Sequence, residues 1–262
     1  MGTRNSTLTR AAPLFDELRA RDSSGNSWIR KLLDLFPTIA AIPSGCDLVR
    51  FGWGRDEIGL RPPTSLLRML VEHPELLRRE ALRGCTPEVS RRREALINGD
   101  GAMRREAVAL LERHPQMSRG WHILEGETYP DLYLETNDLV VVGEGKRTEA
   151  GITTSTTWMP VRHQMLRHLD AAWERRGSKR VCGFFIVEGG SGADVYEVPP
   201  IWRDACAATT SDAVLRASLP HRTEEERRQI AACFVGATTW RRICLAVDVP
   251  WTTLPDDVIV DA

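Results

Sequence analysis

The apolar positions change period along the chain, and the changes divide it into three stretches. From residue 1 to about 98, apolar residues recur at helical spacing in segments 12–21, 27–36, 64–72 and 87–97. Clusters such as Asp22-Ser-Ser-Gly-Asn and Arg61-Pro-Pro-Thr separate these helices. After Asn98-Gly-Asp-Gly, the stripe Met103, Ala107, Leu110 and Leu111 predicts a helix over 102–114, ended by Pro115. Residues 121–125 then read as a short strand, the alternation over 131–135 as a half-buried strand, and Leu139-Val-Val-Val as a buried one. Pro160 is placed to open a helix with Val161, Met165, Leu169, Ala172 and Trp173 on one face, stopping at Gly177. Val181-Cys-Gly-Phe-Phe-Ile-Val is a further apolar strand, followed by the flexible connection Gly189-Gly-Ser-Gly. Helix returns from about 201, with Thr223-Glu-Glu-Glu as a capped, acidic N-terminus and a last short helix over 238–247. The expectation is an α/β fold. A core at 99–200, ordered helix, three strands, helix, strand, carries a mixed central sheet, and helical regions at 1–98 and 201–262 pack against it.

Composition adds little to this picture. The chain has 262 residues, 42% hydrophobic and 27% charged, with a formal net charge of -1. Those values suit a globular protein with a sizeable core and argue neither for nor against a polyanionic partner. Of 35 Lys plus Arg, only Lys31, Lys146 and Lys179 are lysines. Cys46, Cys85, Cys182, Cys206, Cys233 and Cys244 form no Cys-x-x-Cys pair and read as reduced thiols. The opening MGTRNSTLTRAAP lacks an apolar signal segment, and no run nears the roughly 20 apolar residues of a membrane span. A cytoplasmic protein without membrane association is expected.

Candidate chemistry concentrates between Tyr129 and Lys146. Side chains alternate along a strand, so Glu144 and Lys146 point the same way and Gly145 the other. Asn137-Asp138 suits a two-residue hairpin turn, which would set Asp131 directly opposite Glu144, with Cβ atoms roughly 5 Å apart. Two facing carboxylates repel, and a divalent cation with a taste for hard oxygen donors relieves that repulsion. A neighbouring lysine suits an attacking water or the negative charge growing on a phosphorane. The plain alternative is a solvated salt-bridge face on a hairpin.

Pro130-Asp131, a hairpin, and an apolar strand ending Glu144-Gly-Lys146 resemble the PD-(D/E)xK nuclease superfamily of restriction endonucleases, junction resolvases and repair exonucleases. The resemblance runs from about residue 102 to 188 and implies that family's restriction-endonuclease-like αβββαβ core. It implies Asp131 and Glu144 as ligands of Mg²⁺ or Mn²⁺, with Gly145 and Glu106 completing the metal set, Lys146 as the catalytic lysine, and Gln164 on the second core helix in a supporting place. Glu112 points away from the core, and Glu127 competes with Glu106 as the third carboxylate. The implied activity is endonucleolytic hydrolysis of DNA in restriction, repair or defence, DNA being preferred over RNA by resemblance alone and a homodimer being an admissible assembly. The rival is a nuclease-fold protein that binds nucleic acid or assembles complexes without cutting.

Three further features bear on this reading. Gly143-Glu-Gly-Lys-Arg is not a P-loop, because Val140 stands where glycine belongs and Arg147 follows the lysine. Arg162, His163, Arg167, His168, Arg175, Arg176, Lys179 and Arg180 make one element strongly basic, as a solvated face or a track for a phosphate backbone. Trp158 is the one tryptophan expected in a loop near the site.

Overall fold

The computed structural model describes residues 6–37, 39, 47–78, 86–147, 151, 153, 155, 156 and 159–255. A π-helical turn, Thr7–Ala11, runs into α1 (Ala12–Arg21), followed by α2 (Ile29–Leu33) and β1 (Arg50–Trp53). Three helices come next, α3 (Thr64–Glu72), α4 (Pro87–Ile97) and α5 (Gly101–Arg113). The chain continues with β2 (Leu132–Glu135), β3 (Leu139–Gly145), α6 (Gln164–Arg175), β4 (Arg180–Val187), α7 (Pro200–Thr209), α8 (Asp212–Ser218), α9 (Glu224–Ala232), β5 (Phe234–Thr239) and α10 (Trp240–Ala246). No helix among the described residues is long and apolar enough to cross a membrane.

The architecture is α/β. Five strands form one mixed sheet in the order β1-β2-β3-β4-β5, antiparallel across the first three and parallel from β3 to β5. Strand alternation sends Leu132, Leu134, Leu139, Val141, Phe184 and Ile186 to one face, where α1, α2 and α10 cover them. Tyr133, Val140, Val142, Phe185 and Val187 face the opposite layer, built from α6 to α9. Strands β3 and β4 are therefore apolar on both faces, as buried parallel strands are.

The α/β class stands, but several elements differ from the sequence expectation. Residues 121–125 are not a strand. Their carbonyls turn to the buried Arg93 guanidinium, which donates to Trp121 and Ile123 at 2.8 Å each, so they take no place in a ladder. The strand beside β2 is instead β1, from the stretch expected to hold helices and loops. The helix over 102–114 forms as α5, yet it packs with α3 and α4 in a third cluster around Leu67, Leu96, Leu111 and Leu124, away from the sheet. Residues 238–247 are not one helix: Thr239 ends β5 and also caps α10, its hydroxyl accepting from Arg242 N at 3.1 Å. Pro160 does not open α6, which starts at Gln164 behind the cap His163. The expected boundaries at 98 and 201 do not follow the packing, because β1 and β5 lie outside them and the third cluster spans the first.

Candidate functional site

The β2–β3 hairpin builds the site. Thr136 Oγ1 accepts from the backbone N–H of Asp138 and Leu139, closing the turn over Asn137-Asp138. Leu132 faces Gly143 and Tyr133 faces Val142, so Asp131 and Glu144 each stand one residue beyond the last pair of this ladder. Both stand where β3, β4 and β5 present their carboxyl ends, the edge at which open α/β sheets bind ligands.

Glu144 and Lys146 are wired to α6. Lys146 Nζ donates to Glu144 Oε1 at 3.0 Å and to Gln164 Oε1 at 3.0 Å, and Gln164 Nε2 donates to Glu144 Oε1 at 2.6 Å. Two corners of the triangle are buried, Glu144 4% and Lys146 7% exposed, and Gln164 is half-buried. His168, one helical turn beyond Gln164, places Nε2 3.0 Å from Glu144 Oε2, while its Nδ1 meets Thr128 Oγ1 at 2.8 Å. Burial alone would raise the Glu144 carboxyl. The hydrogen bond and charge of the His168 ring, with the Lys146 ammonium, outweigh it and hold the group below its ordinary value.

Asp131 takes its partners from elsewhere. Its Oδ2 accepts from Gly145 N at 2.8 Å, and its Oδ1 accepts from Thr7 Oγ1 at 2.5 Å. Ser6 Oγ lies 3.0 Å from the Gly145 carbonyl oxygen and 3.4 Å from Asp131 Oδ2. Thr7 Oγ1 also sits 3.3 Å from Glu57 Oε1, although one hydroxyl has one proton for two carboxylates. Burial, then the charge of Glu144, push the Asp131 carboxyl up to about 7. Burial and the same neighbour raise Glu57. The centre thus holds one carboxylate that is well compensated and two that are not. Gly145 has no room for a side chain, since a Cβ there would lie 2.7 Å from the Trp240 ring and 3.0 Å from Asp131 Oδ2.

The structure brings Asp131, Glu144, Gly145, Lys146 and Gln164 together. It places Glu106 elsewhere: the carboxylate pairs with Arg92 at 2.8 Å on the flank of the third cluster. Glu112 pairs with Arg68, and Glu127 accepts from the Tyr129 hydroxyl at 2.8 Å. The basic element is divided: Arg162, His163 and His168 are buried, Arg167, Arg176 and Lys179 half-buried, and Arg175 and Arg180 exposed. Arg162 is fully buried between Asp170 and Glu125, so it and the two buried histidines take no part in a surface track. Trp158 lies outside the described residues.

Sequence reasoning did not single out His168, Thr128, Ser6, Thr7 or Glu57 for this centre. His168 had a usable signal in its spacing of four from Gln164, whereas Ser6, Thr7 and Glu57 arrive through distant contacts. Among the described residues, no group of three His, Cys, Asp or Glu side chains is placed to hold a metal ion. Comparison of the chain with protein-family models, curated proteins and solved structures gave no match.

Proposed function

We propose that this chain is a divalent-cation-dependent phosphodiesterase that hydrolyses DNA, with a centre of the PD-(D/E)xK type and a restriction-endonuclease-like fold. The observation carrying the proposal is the Glu144–Lys146–Gln164 triangle, its carboxylate and ammonium buried, beside a carboxyl, Asp131, held up at about 7. A salt-bridged surface hairpin would bury none of these groups, and unrelieved carboxylates are what a cation site looks like before the cation arrives.

The donors suit Mg²⁺ or Mn²⁺. Asp131, the Gly145 carbonyl and one Glu144 oxygen supply hard oxygens, and the Ser6 hydroxyl already bridges the first two at 3.4 and 3.0 Å. Once bound there, the cation supplies polarisation of the phosphate and acidification of a water molecule. The remaining work falls to this chain's side chains. Lys146 presents an ammonium that neutralises charge growing on the phosphate oxygens, and Gln164 fixes that ammonium by accepting from Nζ while donating to Glu144. His168 locks the Glu144 carboxylate in one orientation through Oε2, as an outer partner does for a ligating group.

The test is supercoiled plasmid incubated with Mg²⁺ or Mn²⁺. Wild type is expected to nick and linearise it, and Lys146→Ala and Asp131→Ala to lose at least a hundredfold in rate, the scale of removing one such stabilising group. Cleavage untouched by both substitutions would sink the assignment. The rival, a protein that binds nucleic acid without cutting, draws support from the partners that both Glu144 oxygens already have in Lys146, Gln164 and His168. DNA binding with no cleavage by wild type in either metal would favour it.

A further inference from the structure

Most arginines close to the candidate site are held by carboxylates. Arg10 and Arg147 share Glu188 at 2.7 and 3.0 Å, Arg162 and Arg222 hold Asp170 at 2.8 and 2.9 Å, and Arg167 meets Glu125 at 3.2 Å. Arg203 on α7 and Arg242 on α10 behave differently. Both are exposed, and both line a cavity of about 310 Å³ whose floor includes Ala237 of β5 and Cys206. Neither guanidinium forms an ion pair with a carboxylate of the described residues. Glu197 on the same wall offsets one of the two charges, which leaves the cavity positive. Burial pushes the Cys206 thiol up to about 12, so it adds no negative charge at neutral pH.

The sheet register fixes where this cavity stands. Glu144 pairs with Phe185, and Phe185 pairs with Ala237, so the three occupy one row across β3, β4 and β5. Partners in parallel strands share a face, and Phe185 and Ala237 both pack in the layer that also holds α6. At roughly 4.8 Å per strand, Ala237 on the cavity wall lies about 10 Å from Glu144 across this row, and the cavity itself stands at the β5 edge, where α7 and α10 meet from the two sides of the sheet.

We propose that the cavity between α7 and α10 binds a backbone phosphate of the DNA whose scissile bond lies at Glu144 and Lys146. Arg203 and Arg242 grip that phosphate from two elements. Guanidinium forks match phosphate oxygens, and a second anchor along the row fixes the direction in which the strand crosses the sheet edge. The proposal rests on the nuclease reading for the identity of the strand, while the phosphate chemistry of the cavity is independent of cleavage.

The test is fluorescence anisotropy of a labelled DNA duplex in EDTA, so that no cutting occurs, across a series of salt concentrations. The Arg203→Ala/Arg242→Ala variant is expected to bind about tenfold more weakly, and its slope of log affinity on log salt to flatten by about 1, as for one lost phosphate contact. Arg203→Lys/Arg242→Lys should recover most of the slope. Arg216→Ala/Arg228→Ala, which removes two exposed cations paired to helix neighbours, should match wild type. An unchanged slope in the Arg203→Ala/Arg242→Ala variant, an equal loss in the Arg216→Ala/Arg228→Ala control, or no DNA binding by wild type would each overturn the proposal. Plasmid cleavage by wild type reports separately on the catalytic reading. Cleavage with an unchanged slope removes the cavity and keeps the nuclease, and a flattened slope without cleavage does the reverse.

Discussion

Replacing Asp131 with Asn separates what this residue does for folding from what it does for chemistry. In the fold the carboxyl sits at about 7, against 3.8 for an unperturbed aspartate. A folded-state value above the unfolded one means that the protonated form is the one the fold prefers. The associated stability is complete below about pH 3.8 and is lost as pH rises through about 7. At 1.36 kcal/mol for each tenfold change in proton affinity, the loss is about 4 kcal/mol once the group is ionised. Asparagine removes that loss without emptying the position. Its Oδ1 can accept from Gly145 N, and its Nδ2 can donate to Thr7 Oγ1, freeing that hydroxyl's proton for Glu57. Urea unfolding of wild type and Asp131→Asn should therefore give stabilities that diverge by about 1.4 kcal/mol per pH unit between pH 5 and 7, then run parallel above it. The variant should be the more stable protein at pH 8 and should cut no DNA. Adding Mn²⁺ at pH 8 should raise the stability of wild type and leave Asp131→Asn nearly unmoved. Parallel pH curves through the whole range, or a variant less stable than wild type at pH 8, would refute the account of repulsion at this centre.

Other outcomes follow from the same geometry. Gly145→Ala forces a methyl against the Trp240 ring and Asp131, so unfolding should show a loss of about 1–3 kcal/mol, read as a fall in Tm of roughly 2–4 °C per kcal/mol. Lys146→Met leaves Glu144 buried without its ammonium and should cost about 3 kcal/mol in denaturant titration, opposite in sign to Asp131→Asn. Asp170→Ala removes the carboxylate shared by Arg162, Arg222 and His221, with an expected cost of about 3–5 kcal/mol by calorimetry. In wild type those partners hold Asp170 below the usual carboxylate range although burial acts against them. Its contribution is therefore present above the ordinary value and lost as acid approaches the lowered one.

What could be read from the sequence was local. The hairpin was legible because a two-residue turn and a period of two leave one register, and that register carries Glu144 and Lys146 to the same side of their strand. Strand β1 was not, because four residues, Arg50 to Trp53, find their partner only after a long excursion through α3 to α5. Strand β5 was hidden by running into α10 with no turn between them, so that Thr238 and Thr239 looked like the start of a helix. Arg162 and His168 read as surface charge because composition does not reveal that Asp170, Glu125 and Glu144 wait for them inside. The N-terminal side of the site depends on Ser6 and Thr7 meeting Asp131 across more than a hundred residues, a contact that no periodicity encodes.

The excursion between β1 and β2 has a consequence of its own. Trp53 pairs with Leu132, and Leu60 bridges to Thr128, so the chain leaves and re-enters the sheet through one doorway. Helices α3 to α5 with their private cluster amount to a cassette housed inside a β-hairpin. A cassette tied at both ends can lengthen, shrink or be exchanged while the strand that delivers Asp131 keeps its alignment with Glu144. Variation in what this molecule touches can therefore accumulate there without disturbing where it acts.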